Sequence, residues 1–189
     1  MVFNFDNSKK VFLKKKDKSS IKGIDEPISR LCEEINKKKE YFTTSSCSGR
    51  VVLIKDDVKK KPGLFLFRTH DEINLKEIKQ ALDELIKDKV KGVVLFKQEP
   101  CLIVVSCKDK DSQWKLFSKA RNNGWKKSGI LSVDKKMLVE LMSTENISFP
   151  IYENGKVLVD DDFLKIVVEK ANENLRKGWE KIERLKGMI

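Results

Sequence analysis

Residues 41–50 read YFTTSSCSGR, which places five Ser and Thr hydroxyls and Cys47 directly before Gly49 and Arg50. Ser and Thr compete with the backbone for hydrogen bonds, so such a run is not expected inside a helix. It reads as a shaped loop between a helix and the strand VVLI that follows. In an anion or nucleotide cradle, hydroxyls and backbone N–H groups converge and Arg50 adds a forked, permanent charge. The same residue types also make an ordinary turn. Cys47 beside Arg50 has the setting of an activated thiol, but a cysteine is as commonly a small buried side chain. Alternation along an extended loop would turn Cys47 onto VVLI and leave Ser46 and Ser48 facing a ligand.

The remaining reactive residues are few. His70 is the only histidine and follows the apolar run LFLF, with no spacing to Ser46, Cys47 or Ser48 that makes a triad. Cys32, Cys47, Cys101 and Cys107 contain no C-x-x-C pair, so no zinc site is expected. Neither a P-loop nor a G-x-G-x-x-G fingerprint is present, which argues against the usual dinucleotide-binding sheet. Glu99, just before Pro100, reads as a turn residue. Trp125 lies in RNNGWKKSG, between Gly124 and the pair Lys126 and Lys127. An aromatic among cations stacks a base and neutralises its phosphate. The other reading is an indole at the core edge with two solvated lysines.

The chain that positions these residues has 189 residues and is 40% hydrophobic, enough for a real core in one domain or two small interlocked halves. Forty Lys and Arg against 29 Asp and Glu give a net charge of +11, which favours a polyanionic partner. A Lys-, Glu- and Ile-rich composition also fits the charged surface of a thermophilic protein. No stretch approaches the roughly 20 apolar residues of a membrane span. The opening MVFNFDNSKK has no signal-peptide core. A cytoplasmic protein with reduced thiols is expected.

Asp25 and Pro27 open a predicted helix carrying Ile28, Leu31, Cys32 and Ile35 at helical spacing. VVLI and LFLF are predicted as buried strands separated by the charged turn KDDVKKKPG. Asn74 and Glu77 form a capping box for a helix whose stripe is Leu75, Ile78, Leu82 and Leu85. GVVLF and CLIVV, joined by KQEP, are predicted to pair as a hairpin with Pro100 at its turn. A helix from about Ser112 ends at Asn122, Asn123 and Gly124 in a left-handed cap. Loops and strands follow, and then a long amphipathic helix over about 161–186 whose Arg176, Lys177, Lys181 and Arg184 suit a solvated face. The sum is α+β over 1–189, a single compact domain of antiparallel or mixed sheet and helices. The order of elements fits two duplicated, intertwined halves, although no sequence repeat accompanies them.

The strings DKSSIKGID, YFTTSSCSGR, THD, KQEPCLIVVSC, GWKKSGI, MSTENISFPI and VVEKANENLRKGWEKIERL occur in this order. Their succession over about 18–185 resembles the tRNA wybutosine-synthesizing protein 3 family. That resemblance implies a non-Rossmann methyltransferase fold and S-adenosylmethionine as cofactor. It implies the anticodon region of phenylalanine tRNA as partner, with methylation at N4 of 7-aminocarboxypropyl-demethylwyosine at position 37. Carried onto matching positions, it implies Ser45, Ser46, Ser48, Gly49, Arg50, Ser128 and Gly129 as cofactor-binding. Trp125, Lys126, Lys127, Ser143 and Thr144 fall to RNA, Glu99 and His70 to catalysis, and no residue to a metal. The chain departs from the family pattern at Val104, where histidine is usual, and at Met142, where arginine is usual. Trp125 to Gly129 stand for F-R-N-S-G, keeping basic character without the forked arginine. A non-catalytic tRNA-binding paralogue and an interaction protein with a thermophile-type surface are the alternative readings at this point.

Overall fold

The computed structural model describes residues 4–14, 25–57, 63–134 and 136–189. The string at 17–24 and most of the charged turn before Gly63 lie outside the described residues. In chain order the elements are α1 (Phe5–Lys14), α2 (Glu26–Lys37), β1 (Tyr41–Cys47), β2 (Arg50–Lys55), β3 (Phe65–Thr69), α3 (Leu75–Lys87), β4 (Val93–Glu99), β5 (Leu102–Cys107), α4 (Lys110–Asn122), β6 (Gly129–Ser132), β7 (Met137–Met142), β8 (Ile147–Glu153), β9 (Lys156–Val157) and α5 (Asp161–Lys186). Every strand pair among them is antiparallel, so the fold is α+β without a mixed sheet. The chain forms two compact units, each built from separate stretches. Met1–Ser48, Cys101–Thr144 and Gly178–Ile189 make the first, and Gly49–Pro100 with Glu145–Lys177 the second.

The first unit holds a four-stranded sheet in the order β1-β5-β7-β6. Ile103, Val105 and Cys107 alternate along β5, so period two sends all three to one face. There they join Val139 and Leu141 of β7, the apolar stripe of α2, Leu116 and Ala120 of α4, and Ile182 and Leu185 of α5 in one buried cluster. At the opposite face, Phe42 meets Phe5 of α1 with ring centroids 5.3 Å apart.

The second unit holds a five-stranded sheet in the order β3-β2-β4-β8-β9. The predicted capping box of α3 is formed, with Asn74 Oδ1 accepting from Glu77 N at 3.0 Å and Glu77 Oε2 from Asn74 N at 2.8 Å. Its last turn is tied to β8 through the Tyr152 hydroxyl, which lies 3.2 Å from the Leu85 carbonyl and 2.9 Å from that of Val90. Asn172 of α5 holds the approach to α3 by bonding both the N–H and the carbonyl of Ile73.

Four expectations are corrected. Residues 41–47 are the strand β1, not a loop, because pairing with β5 occupies the backbone and local bonds occupy the hydroxyls. Thr43 bonds Asn36, and Thr44 Oγ1 donates to the Val104 carbonyl at the β-bulge between Thr43 and Ser45. Strands β4 and β5 do not pair with each other: β4 lies between β2 and β8, and β5 between β1 and β7. Short connections favour hairpins only where both strands have a free edge facing each other, and here each strand's two edges are occupied by others. Finally, Asp25 makes no side-chain cap on α2, since its carboxylate is bonded to Ser48. Helix α4 likewise begins at Lys110, two residues before the predicted start, because Asp109 is its cap and Ser112 its third residue.

Candidate active site

In the first unit, the register of the sheet assembles residues far apart in sequence. Ser45 lies opposite Val104, Val104 opposite Glu140, and Glu140 opposite Gly129, a row that crosses all four strands. Beside it runs a second row, Cys47, Leu102 and Met142. Directly paired residues point to the same side of a sheet, so both rows share one face. Ser45 is exposed, while Val104, Met142 and Glu140 are half-buried. A Cβ placed on Gly129 would meet nothing within 4 Å. The face thus offers a half-buried apolar strip of Leu102, Val104 and Met142 with the Ser45 hydroxyl and the Glu140 carboxylate beside it, residue types that can pack on a planar ring and hydrogen-bond its polar edge. Glu140 was missed from the sequence. Its signal is the alternation in MLVELM, which puts Glu140 and Met142 on one side.

The other hydroxyls of the quoted run are placed differently from expectation. Ser46 lies opposite Ile103 on the helix-packed face, and its side chain hydrogen-bonds the Cys32 thiol. Ser48 is fully buried, its N–H and hydroxyl donating to Asp25 Oδ2 at 2.9 and 3.2 Å. The bulge sets the phase of β1, so Ser45 and Cys47 share the open face and Ser46 does not. Burial pushes the thiols of Cys32 and Cys107 up, to about 11 and about 12. Neither is a thiolate near neutral pH.

Ser128 is structural in its bonds: its hydroxyl donates to the Trp125 carbonyl at 2.7 Å and accepts from Met142 N at 3.1 Å. Trp125 is 0% exposed within the core of the first unit, and its indole N–H faces the Lys181 carbonyl at 3.4 Å. The ring therefore has no face to present to a base, which corrects the stacking role. Its neighbours Lys126 and Lys127 are exposed. Thr144 Oγ1 accepts from Lys181 Nζ at 3.2 Å, and Ser143 is fully buried with no partner for its hydroxyl among the described residues.

In the second unit, Arg50 of β2 and Glu99 of β4 lie directly opposite each other. Arg50 Nε donates to Glu99 Oε2 at 2.5 Å, and the guanidinium sits 5.1 Å from the Phe65 ring centroid. The terminal nitrogens of Arg50 make no hydrogen bond among the described residues, so a fork of donors remains beside a carboxylate. Both side chains are about a third exposed, at 27% and 33%. Before them, Gly49 takes φ +98°, a left-handed turn that a side chain would strain. The Gly49 carbonyl lies 3.0 Å from His70 Nδ1. A carbonyl only accepts, so Nδ1 carries the proton and Nε2 is the basic nitrogen of the neutral ring.

The family model described as Methyltransferase TYW3 matches residues 7–189. The chain is 35% identical to a Pyrococcus horikoshii protein named tRNA(Phe) 7-((3-amino-3-carboxypropyl)-4-demethylwyosine(37)-N(4))-methyltransferase 1, over 98% of this chain and 95% of that one. It is 33% identical to the tRNA wybutosine-synthesizing protein 3 homolog of Danio rerio, over 96% of this chain and 72% of that one. The solved structure of the PH1069 protein from Pyrococcus horikoshii superposes with a TM-score of 0.84 at 34% identity, covering 97% of this chain and 93% of that one.

Proposed function

The chain belongs to the TYW3 methyltransferase family, and we propose that it transfers a methyl group from S-adenosylmethionine to N4 of 7-(3-amino-3-carboxypropyl)-4-demethylwyosine at position 37, in the anticodon region of cytoplasmic phenylalanine tRNA. Relatives at 35% identity that align over 98% of this chain are named as the N4-methyltransferase acting at position 37 of tRNA(Phe). Among the described residues no helix is long and apolar enough to cross a membrane.

The observation that carries the reading is the Arg50–Glu99 pair. A 3-amino-3-carboxypropyl group holds a carboxylate and an ammonium on one carbon. A guanidinium fork next to a carboxylate matches it charge for charge, with Arg50 taking the carboxylate and Glu99 the ammonium. The base named for the relatives carries this group, and so does S-adenosylmethionine. Taken by itself, the strip of the first unit from Ser45 to Gly129 suits a planar base. When bound, S-adenosylmethionine supplies a methyl group on a positively charged sulfur.

Methyl transfer forms the N4–C bond as the C–S bond breaks, with the electron pair leaving on sulfur and the N4 proton passing to a base. No covalent enzyme intermediate is needed, so the protein works chiefly by positioning. Glu99 and His70 are the candidate bases: Glu99 is engaged with Arg50, and the His70 ring is held at Nδ1 by the Gly49 carbonyl. The test is nucleoside mass spectrometry of phenylalanine tRNA carrying the demethyl precursor, incubated with the protein and S-adenosylmethionine. The product is expected one methyl group heavier, at N4. An unmethylated precursor in the presence of folded protein would refute the activity and favour the non-catalytic paralogue.

A further inference from the structure

With Trp125 in the core, the exposed tryptophan of the chain is Trp114, 60% exposed on α4. It does not stand alone. Lys110, Trp114, Phe117 and Arg121 are spaced by four, three and four residues, which aligns them along one stripe of the helix. The Trp114 and Phe117 rings are 5.3 Å apart, and the Arg121 guanidinium lies 5.4 Å from the Phe117 centroid. Phe117 is partly buried against the core and backs Trp114, so the indole is supported from behind and open in front.

The cations of this helix differ from those of α5. There, Lys165 pairs with Asp162 at 2.8 Å, Lys170 and Lys177 both with Glu173, and Lys186 with Glu183, each within one turn. Lys110, Lys115 and Arg121 have no ion pair among the described residues. Asp109 of the same region is occupied in capping Ser112, leaving Asp111 as the opposing charge on α4. Local helix pairs therefore neutralise much of the charge on α5, while on α4 the charge surrounds an exposed aromatic.

We propose that the solvent face of α4 is an RNA-contact surface, on which an unstacked nucleotide lies against Trp114 while Lys110 and Arg121 meet the neighbouring phosphates. The proposal rests on the tRNA reading given above, and it names a surface that no part of that reading uses. Every base has a π-face, so a single supported indole binds without regard to sequence, and the cations add a salt-dependent attraction.

The test is binding of an unmodified phenylalanine tRNA transcript to the full chain at several salt concentrations, with no methyl transfer involved. Trp114→Ala is expected to weaken binding at least about fivefold, the low end for a lost base stack, while Trp114→Phe recovers most of it. Lys110→Ala combined with Arg121→Ala is expected to flatten the slope of log K against log salt by about 0.7–0.9 for each phosphate lost. A fully paired RNA duplex should show the salt effect and little of the Trp114 effect. Because Trp114 is exposed, its variants should melt with the parent. Trp114→Ala binding tRNA as the parent does at every salt would overturn the proposal. So would a parent that self-associates through Trp114 in sedimentation while its RNA binding ignores that residue, which would make the face a contact between copies. A parent that binds tRNA through Trp114 but transfers no methyl group would refute the activity and leave this surface standing. Failure of the parent to bind tRNA would refute both.

Discussion

Replacing Arg50 by alanine separates a binding role from a folding role, because the structure assigns the two very different sizes. The Arg50–Glu99 bond is short, at 2.5 Å, but its side chains are 27% and 33% exposed. Solvent screening limits such a pair to under about 1 kcal/mol of stability. The stacking of the guanidinium over Phe65 adds about 0.5–1 kcal/mol. Arg50→Ala should therefore remain folded, with a modest fall in melting temperature. Ligand binding is another matter. A charge-assisted hydrogen bond to a ligand carboxylate is worth about 1.5–3 kcal/mol, or roughly ten- to 150-fold in affinity. Calorimetric titration with S-adenosylhomocysteine and with methylthioadenosine, which lacks the aminocarboxypropyl group, locates the loss. If Arg50 reads the cofactor, Arg50→Ala loses affinity for the first compound and not the second. If it reads the base, the loss appears with tRNA bearing the aminocarboxypropyl arm and not with tRNA lacking it. Arg50→Lys keeps the charge without the fork and should recover only part of either loss. Equal affinities of Arg50→Ala and of the exposed-lysine control Lys76→Ala for every one of these ligands would refute the assignment.

The buried thiols predict a loss of stability in alkali. Cys32 and Cys107 are raised from 9.0 to about 11 and about 12 when folded, so above pH 9 the unfolded chain releases protons that the folded chain keeps, and the free energy of unfolding falls by about 1.4 kcal/mol per pH unit per thiol. Urea unfolding between pH 9 and 11 should show this, with a shallower fall in Cys32→Ala. Cys47→Ala should keep most methyl-transfer activity, with a stability loss near 1 kcal/mol. Abolished turnover in a folded Cys47→Ala protein would make the thiol a reactant. Gly178→Ala should stabilise α5 by up to about 1 kcal/mol, because the new Cβ would sit at ordinary distances of 3.7 and 3.8 Å from Cys101 Sγ and Cβ. Thermal melting checks it.

The helices were readable from sequence because their determinants are local. The stripe in 161–186 repeats from one turn to the next and the Asn74–Glu77 capping box lies within one turn, and α5 and α3 occur where they predict. Sheet partnership is not local, and there the reading failed. KQEP is short enough for a hairpin, yet the choice between β5 and the pair β2 and β8 as partners of β4 lies in packing distributed over the whole second unit. The hydroxyl run shows the same limit on a finer scale. Its residue types named Ser45, Ser46 and Ser48 alike, but a one-residue bulge decides which of them reaches the open face.

The two tryptophans carry the argument furthest. RNNGWKKSG left open a stacking ring among cations or an indole at the core edge, because neighbours in sequence are poor witnesses to burial in a turn. Gly124, at φ +96°, reverses the chain after α4 and turns the next side chain inward, so that Trp125 enters the core while Lys126 and Lys127 stay out. On α4 the logic runs the other way. Periodicity puts Leu116 and Ala120 inside, and Trp114, two residues before Leu116 on a helix of 3.6 residues per turn, is carried about 200° round to the far side. Burying an aromatic of this size is strongly favourable, so its exposure beside cations that form no ion pair among the described residues is the feature of α4 that folding alone leaves unexplained. A composition rich in lysine fits both a thermophilic surface and a polyanion-binding one. The distinction lies in how the cations are engaged: on α5 Lys165, Lys170, Lys177 and Lys186 are held in pairs within the helix, whereas on α4 Arg121 stacks on Phe117 beside the exposed Trp114.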